Sequence, residues 1–123
     1  MTIEELYAAI GADYDDVRKR LPSDDLVARF VGRFAEDESC ANLVAAWAAG
    51  DEQAAFEAAH TAKGVCANLG LSKLASLASD VTEALRPGND ELRATTDVAA
   101  LVQQLASAHE ATVAAINDYA ASE

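Results

Sequence analysis

A histidine, a lysine and a glycine stand at helical spacing within residues 59–64, which read Ala-His-Thr-Ala-Lys-Gly. At about 100° per residue, His60, Lys63 and Gly64 fall on one face of a helix. An imidazole is a nucleophile, and an ammonium one turn away can neutralise an anionic group that the imidazole carries. A glycine beside them leaves room for a bulky reactant. The spacing therefore places a nucleophile, a cation and an open stretch of backbone on one side of a predicted helix.

Small and apolar side chains occupy the opposite face of this predicted helix: Ala55, Ala58, Ala62, Val65, Cys66 and Leu69. Burial of that face against neighbouring helices would turn His60 toward water. A glycine inside a helix costs about 1 kcal/mol relative to alanine. Because this chain uses alanine freely, a solvent-facing Gly64 favours a functional role. The alternative is an inert surface histidine beside a coincidental glycine.

Four further residues lie on or beside the same face and are candidate contacts for a partner protein: Gln53, Phe56, Ala67 and Asn68. Phe56 is apolar where a solvated side chain is expected. It either folds into the groove against the preceding helix or belongs to an apolar patch that a docking protein covers. Asn68 either helps to orient an oxygen of the bound group or only ends the helix.

The period of the apolar residues predicts an all-α protein. Almost every segment follows the helical period of about 3.6 residues, and no run alternates apolar and polar residues for long enough to make a strand. We expect a single domain over residues 1–123, built as an antiparallel up-and-down four-helix bundle. One or two short extra helices should occupy residues 1–22, ahead of the bundle in residues 23–121.

Turn-forming residues mark the boundaries of the predicted helices: Pro22, Gly50–Asp51, Gly70 and Pro87–Gly88. A bend is expected near residues 37–39, and a loop from Gly88 to about Asp97. His109 falls within the apolar stripe of the last helix, so we interpret it as a packing residue.

Charge and composition exclude several classes of protein. Lys and Arg total 9 against 21 Asp and Glu, a net charge of −12 that repels nucleic acid and anionic membranes. No uncharged stretch reaches the ~18 apolar residues of a membrane span. Neither a basic start nor an apolar signal core follows Met1, so we expect a cytoplasmic protein with Cys40 and Cys66 reduced and packed. We also expect a monomer, because no surplus apolar face is evident, and no metal ion or cofactor of its own.

The segment around His60 resembles the signature of histidine-containing phosphotransfer (Hpt) domains, which has Ala-His, then Lys-Gly after two residues, and a further Gly. The matching positions are Ala59, His60, Lys63, Gly64 and Gly70. The resemblance extends from about Asp24 to Gly88, whereas the first 20 and last 30 residues match only in being helical. The family usually has a leucine where this chain has Ala62. That position lies on the buried side, so the change should affect packing and leave the chemistry intact.

The resemblance implies a protein of a two-component phosphorelay. His60 would accept a phosphoryl group from the phosphoaspartate of a receiver domain, in a hybrid histidine kinase or a response regulator, and pass it to another receiver aspartate. Lys63 would neutralise the phosphoryl charge, and Gly64 would give steric access. The Mg²⁺ is expected from the receiver. The chain has no glycine-rich phosphate loop, so it would be a phosphoryl carrier with a phosphohistidine intermediate and no ATP-dependent kinase activity.

Two other functions remain open from the sequence. The first alternative is a non-catalytic four-helix interaction module that binds a receiver or a kinase without carrying phosphate. An acyl carrier protein is the second alternative, because those proteins are also small acidic bundles and residues 69–74 are weakly similar to their attachment site. The aspartate that usually precedes the modified serine is missing before Ser72.

Overall fold

The computed structural model describes residues 1–122, and the regular structure of these residues is entirely helical. Eight helices occur within them: α1 (Ile3–Ala9), α2 (Tyr14–Arg20), α3 (Asp24–Phe34), α4 (Ser39–Ala48), α5 (Glu52–Asn68), α6 (Ser72–Leu85), α7 (Asp90–Thr95) and α8 (Val98–Ala121). The all-α class is confirmed, with two short helices at the start of the chain.

Four of these helices, α4, α5, α6 and α8, form an antiparallel bundle around one core. Helix α5 packs against both α4 and α6, and α8 closes the bundle by packing against α4 and α6. The connections at residues 49–51 and 69–71 are tight turns, so consecutive helices must run in opposite directions. The predicted up-and-down four-helix bundle is confirmed. One face of α5 is exposed to solvent along the length of the helix.

The expected bend near residues 37–39 is a break between two separate helices. Helix α3 ends at Phe34 and α4 begins at Ser39. The backbone amide of Ser39 donates to Oδ1 of Asp37 at 2.9 Å, and its hydroxyl donates to the same oxygen. These bonds satisfy polar groups at the start of α4, which has no side-chain cap of its own. Helix α3 packs on α8 beside the bundle.

The prediction of a loop between Gly88 and Asp97 was wrong in part, because this segment contains the short helix α7. Arg93 in α7 donates to both carboxylate oxygens of Glu52 at 3.0 Å. Its guanidinium carbon also lies 5.5 Å from the centroid of the Trp47 ring. Helix α7 has no buried residue, and its sequence shows no repeat of apolar residues at helical spacing. Its contacts with α4 and α5 supply the stabilisation that a helix this short lacks alone.

The N-terminal helices are held against the turn between α5 and α6. The Tyr7 hydroxyl donates to the carbonyl of Leu69 at 2.6 Å, and the amide of Asp13 donates to the carbonyl of Gly70 at 2.8 Å. Gly70 has a φ of +71°, and a Cβ built there would lie 2.5 Å from the Asp13 carbonyl oxygen. Both the backbone angle and the close approach therefore require glycine at this position.

We predict that Gly70→Ala destabilises the fold more than Gly50→Ala does. Gly50 has a similar φ of +75°, but nothing lies within 4 Å of a Cβ there. A positive φ should cost each alanine variant about 1–2 kcal/mol, and overpacking against Asp13 should cost Gly70→Ala about 1–3 kcal/mol more. Urea unfolding followed by Trp47 fluorescence measures both. Equal losses in the two variants would contradict the proposed clash.

His109 is half-buried in α8, where it serves the packing role expected from the sequence. Its ring meets that of Phe34 edge-on, with the centroids 5.8 Å apart. Its Nε2 atom is buried without a hydrogen-bond partner. Burial lowers the pKa of His109, and the nearby charge of Asp37 opposes that shift only in part. The half-buried His109 thus differs from His60, which is exposed.

Cys40 and Cys66 are both free thiols in the core, as the sequence indicated. They face each other between α4 and α5, and the hydrogen bond that the Cys66 thiol donates to Cys40, together with burial, raises the pKa of Cys66. Buried free thiols act as small packing residues. Within residues 1–122, none of the helices has the length and hydropathy that crossing a bilayer would require.

Candidate functional site

The position of His60 follows from how α5 is packed. Asp51 begins the helix by accepting a hydrogen bond from the amide of Ala54 at 3.0 Å. One side of the helix is then fully buried, at Ala55, Ala59, Ala62 and Cys66. Because these small side chains face the core, the opposite side must face water. His60 lies there, exposed, near the middle of the helix.

Lys63 and Gly64 flank His60 one turn further along α5. Lys63 is half-buried, and its positive charge reaches the carboxylate of Glu83 in α6. Gly64 is exposed, and a Cβ at this position would meet nothing within 4 Å. The fold therefore does not require glycine at residue 64. Steric access to the imidazole at Gly64 stays a prediction.

Phe56 covers one side of the His60 ring. The two rings lie nearly parallel, at an angle of 18° with their centroids 6.3 Å apart. The guanidinium carbon of Arg86 lies 5.5 Å from the centroid of the same Phe56 ring. Phe56 is half-buried, and its aromatic contacts are with His60 and with the helix that follows. These ring contacts do not involve the preceding helix α4, and a role of Phe56 in an apolar docking patch stays a prediction.

Glu83 and Arg86 bring a second pair of charges to the same surface from the end of α6. Arg86 donates from Nε to Oε2 of Glu83 at 2.8 Å and from Nη2 to Oε1 at 3.3 Å. This hydrogen bonding lowers the pKa of Glu83, and the charges of Lys63 and His60 lower it further. The surface around His60 therefore includes the cationic side chains of Lys63 and Arg86 and the carboxylate of Glu83, besides the exposed Glu57 one turn earlier on α5.

The remaining candidate contact residues lie toward the two ends of α5. Gln53 is exposed near the start of the helix, where its amide donates to Oε1 of Glu57 at 3.2 Å. Ala67 and Asn68 are exposed at the other end. Arg20 of α2 donates to their carbonyl oxygens, at 2.9 Å and 3.0 Å respectively. Their backbone is thereby fixed, and their side chains remain free to contact a partner.

Glu83 and Arg86 were not singled out from the sequence. They lie on a different helix from His60, so no fixed residue spacing relates them to it. The one available signal was Phe56, an aromatic residue on an otherwise polar face, whose ring contacts Arg86.

No group of three or more His, Cys, Asp or Glu side chains in residues 1–122 is arranged to hold a metal ion. The expectation that the chain has no metal centre stays a prediction.

The fold and this surface define a helical bundle that presents one histidine to solvent from the middle of a helix. The family model of the Hpt domain matches residues 25–115, which is most of the chain. The protein therefore belongs to the Hpt domain family, whose members carry out histidine phosphotransfer with receiver domains in phosphorelays. The match extends through most of α8, well beyond the limit at Gly88 that the motif alone indicated. Searches of curated proteins and of solved structures gave no significant match.

We predict that Gly64→Ala stabilises the folded protein. Alanine is favoured over glycine inside a helix by about 0.5–1 kcal/mol, and a Cβ at residue 64 meets nothing. Gly32 in α3 offers a matched control, because it is also exposed, helical and open to a Cβ. Both variants should therefore gain similar stability in urea unfolding. A loss of stability confined to Gly64→Ala would show that the fold needs this glycine after all.

Proposed function

We propose that the protein carries a phosphoryl group on His60 between the receiver domains of a phosphorelay. The observation that supports this most strongly is the exposed imidazole of His60 beside Lys63 and Gly64, within the segment that matches the Hpt domain. The donor is the phosphoaspartate of one receiver, and the acceptor is the aspartate of another. The protein acts as a phosphoryl carrier in the cytoplasm and is phosphorylated only transiently.

In the first transfer, the lone pair of an imidazole nitrogen of His60 attacks the phosphorus of the phosphoaspartate in line. The new P–N bond forms as the P–O bond breaks, and the electron pair of that bond leaves with the aspartate carboxylate. The second transfer reverses these events, because an aspartate oxygen attacks phosphorus and the P–N electrons return to the imidazole. A neutral imidazole nitrogen already carries the lone pair that attacks phosphorus, so the step needs no general base.

Positioning and charge neutralisation are the main contributions that a protein makes to phosphoryl transfer. Helix α5 holds the nucleophile, Lys63 neutralises phosphoryl oxygens, and Gly64 lets the receiver approach. The receiver supplies the Mg²⁺ and the acidic residues that bind it. Phe56, Gln53, Ala67 and Asn68 form the surrounding contact surface, with Phe56 as its apolar part. The carrier works as a monomer, because each receiver needs access to the same face.

The test of this function compares the two histidines. We expect a phosphorylated receiver domain to transfer phosphate to the purified protein and to His109→Gln, but not to His60→Gln. The product should be stable to base and labile to acid, as a phosphohistidine is. Quantitative labelling on denaturing gels measures the transfer, and circular dichroism checks that both variants fold. Labelling of His60→Gln at the parental level would disprove the proposal.

Failure of labelling in every form, together with receiver binding that His60→Ala leaves unchanged, would instead support the non-catalytic interaction module. An acyl carrier protein would be indicated only if a phosphopantetheinyl transferase modified Ser72. These outcomes separate the three functions that the sequence left open.

Lys63 should affect the rate of transfer and leave the fold intact. Loss of a charged hydrogen-bond donor weakens binding of the phosphoryl group, so Lys63→Ala should transfer about five- to tenfold more slowly. Lys73→Ala is the matched control, because Lys73 is an exposed lysine in the first turn of α6, at the opposite end of that helix from Glu83 and Arg86. Rapid-quench kinetics with a phosphorylated receiver measures both variants. Equal rates for Lys63→Ala and the parent protein would remove the role assigned to the ammonium.

A further inference from the structure

A carboxylate lies among the positive charges that surround His60. Glu83 accepts both hydrogen bonds from the Arg86 guanidinium, at 2.8 Å and 3.3 Å. It is also close enough to Lys63 and His60 for their charges to act on it. The side chains of Glu83 and Arg86 are 40% and 41% exposed, so both can be reached from solvent.

Arg86 contacts the ring of Phe56, which lies beside His60, and it also forms hydrogen bonds with Glu83. Its guanidinium lies over the Phe56 ring, which in turn lies against the imidazole of His60. A guanidinium in this place can form paired hydrogen bonds with phosphate oxygens as readily as with a carboxylate. In the unphosphorylated protein that pairing is occupied by Glu83.

We infer that Glu83 is a positioning residue that holds Arg86 beside His60 in the unphosphorylated protein and shortens the lifetime of the phosphohistidine. This inference rests on the proposed function. In the resting protein, Glu83 balances part of the charge of Arg86 and Lys63. Once His60 carries a phosphoryl group, Glu83 competes with it for the same cations and repels it as a like charge. The phosphoryl group is thereby kept ready to leave.

The step affected is loss of the phosphoryl group from the imidazole, either to a receiver aspartate or to water. In the reaction with water, the water oxygen bonds to phosphorus as the P–N bond breaks. The P–N electron pair returns to the ring nitrogen. One proton of the attacking water passes to solvent, and inorganic phosphate is released as the product. A nearby carboxylate favours this step because it destabilises the dianionic phosphoryl group before transfer.

Phosphoramidate, a small phosphodonor, can charge the histidine without any receiver, which allows the lifetime to be measured separately from transfer. We expect the phosphohistidine of Glu83→Gln to hydrolyse roughly two- to fivefold more slowly than that of the parent protein, the range given by exposed charge pairs. The glutamine carbonyl can still accept a hydrogen bond from Arg86, so the variant removes mainly the charge.

Two further variants test whether the charge at residue 83 is responsible. Asp80→Asn removes one negative charge from an exposed position one turn earlier on α6 and should leave the half-life unchanged. Glu83→Asp retains the carboxylate and should keep the half-life near the parental value. If Glu83 had only a structural role, the half-lives of Glu83→Asp and Glu83→Gln would not differ according to charge. Arg86→Gln should shorten the half-life by removing a cation from the phosphoryl group.

An unchanged half-life in Glu83→Gln, or an equal lengthening in Asp80→Asn, would overturn the inference and leave the proposed function standing. Slower hydrolysis in Glu83→Gln together with no exchange between His60 and receivers would support the inference on lifetime and contradict the relay function. If phosphoramidate fails to label His60 in the parent protein, both are overturned.

Discussion

The surface around His60 depends on one constraint, the fixed rotational orientation of α5 about its own axis. Four small residues of this helix are fully enclosed by α4 and α6: Ala55, Ala59, Ala62 and Cys66. Small side chains allow close helix packing, so a turn of α5 in either direction would bring larger or charged residues into the core. The helical period then leaves His60 no position except toward solvent. Exposure of the nucleophile is thus a consequence of the packing on the other side.

The two ends of α5 keep this rotation fixed. Asp51 caps the first turn, and the left-handed Gly50 turns the chain back from α4. At the other end, Gly70 fits directly against the Asp13 carbonyl, and Arg20 binds the last carbonyl oxygens of the helix. The short N-terminal helices therefore contribute to the site without touching the histidine. Their removal would free the end of the helix that carries Gly64 and Asn68.

Charge gives this surface its chemical character. The chain carries a net charge of −12, which does not favour binding of a dianionic phosphoryl group. Lys63 and Arg86 provide local positive charge near His60, and Arg86 is paired with Glu83. A carrier must accept the group and also release it. A site that holds a carboxylate as well as cations fits both requirements better than a site with cations alone.

Much of the fold and the centre of this surface could be predicted from the sequence, because both depend on local periodicity. The buried face of α5 followed from residue spacing, as did the exposure of His60 and Gly64. Helix α7 was missed because it buries nothing and is held by Arg93 through contacts between helices. Arg86 and Glu83 were missed for a similar reason: their distance from His60 is set by how α6 packs on α5. Gly32 shows that an exposed helical glycine alone does not identify a site.

The most direct measurement is to locate the phosphoryl group on the unmodified protein after transfer from a receiver. Peptide mass spectrometry under conditions that preserve phosphohistidine would distinguish the exposed His60 from the enclosed His109. The account predicts that the phosphate is found on His60 and that His109 carries none. Phosphate on His109 or on a carboxylate, with His60 unmodified, would contradict it.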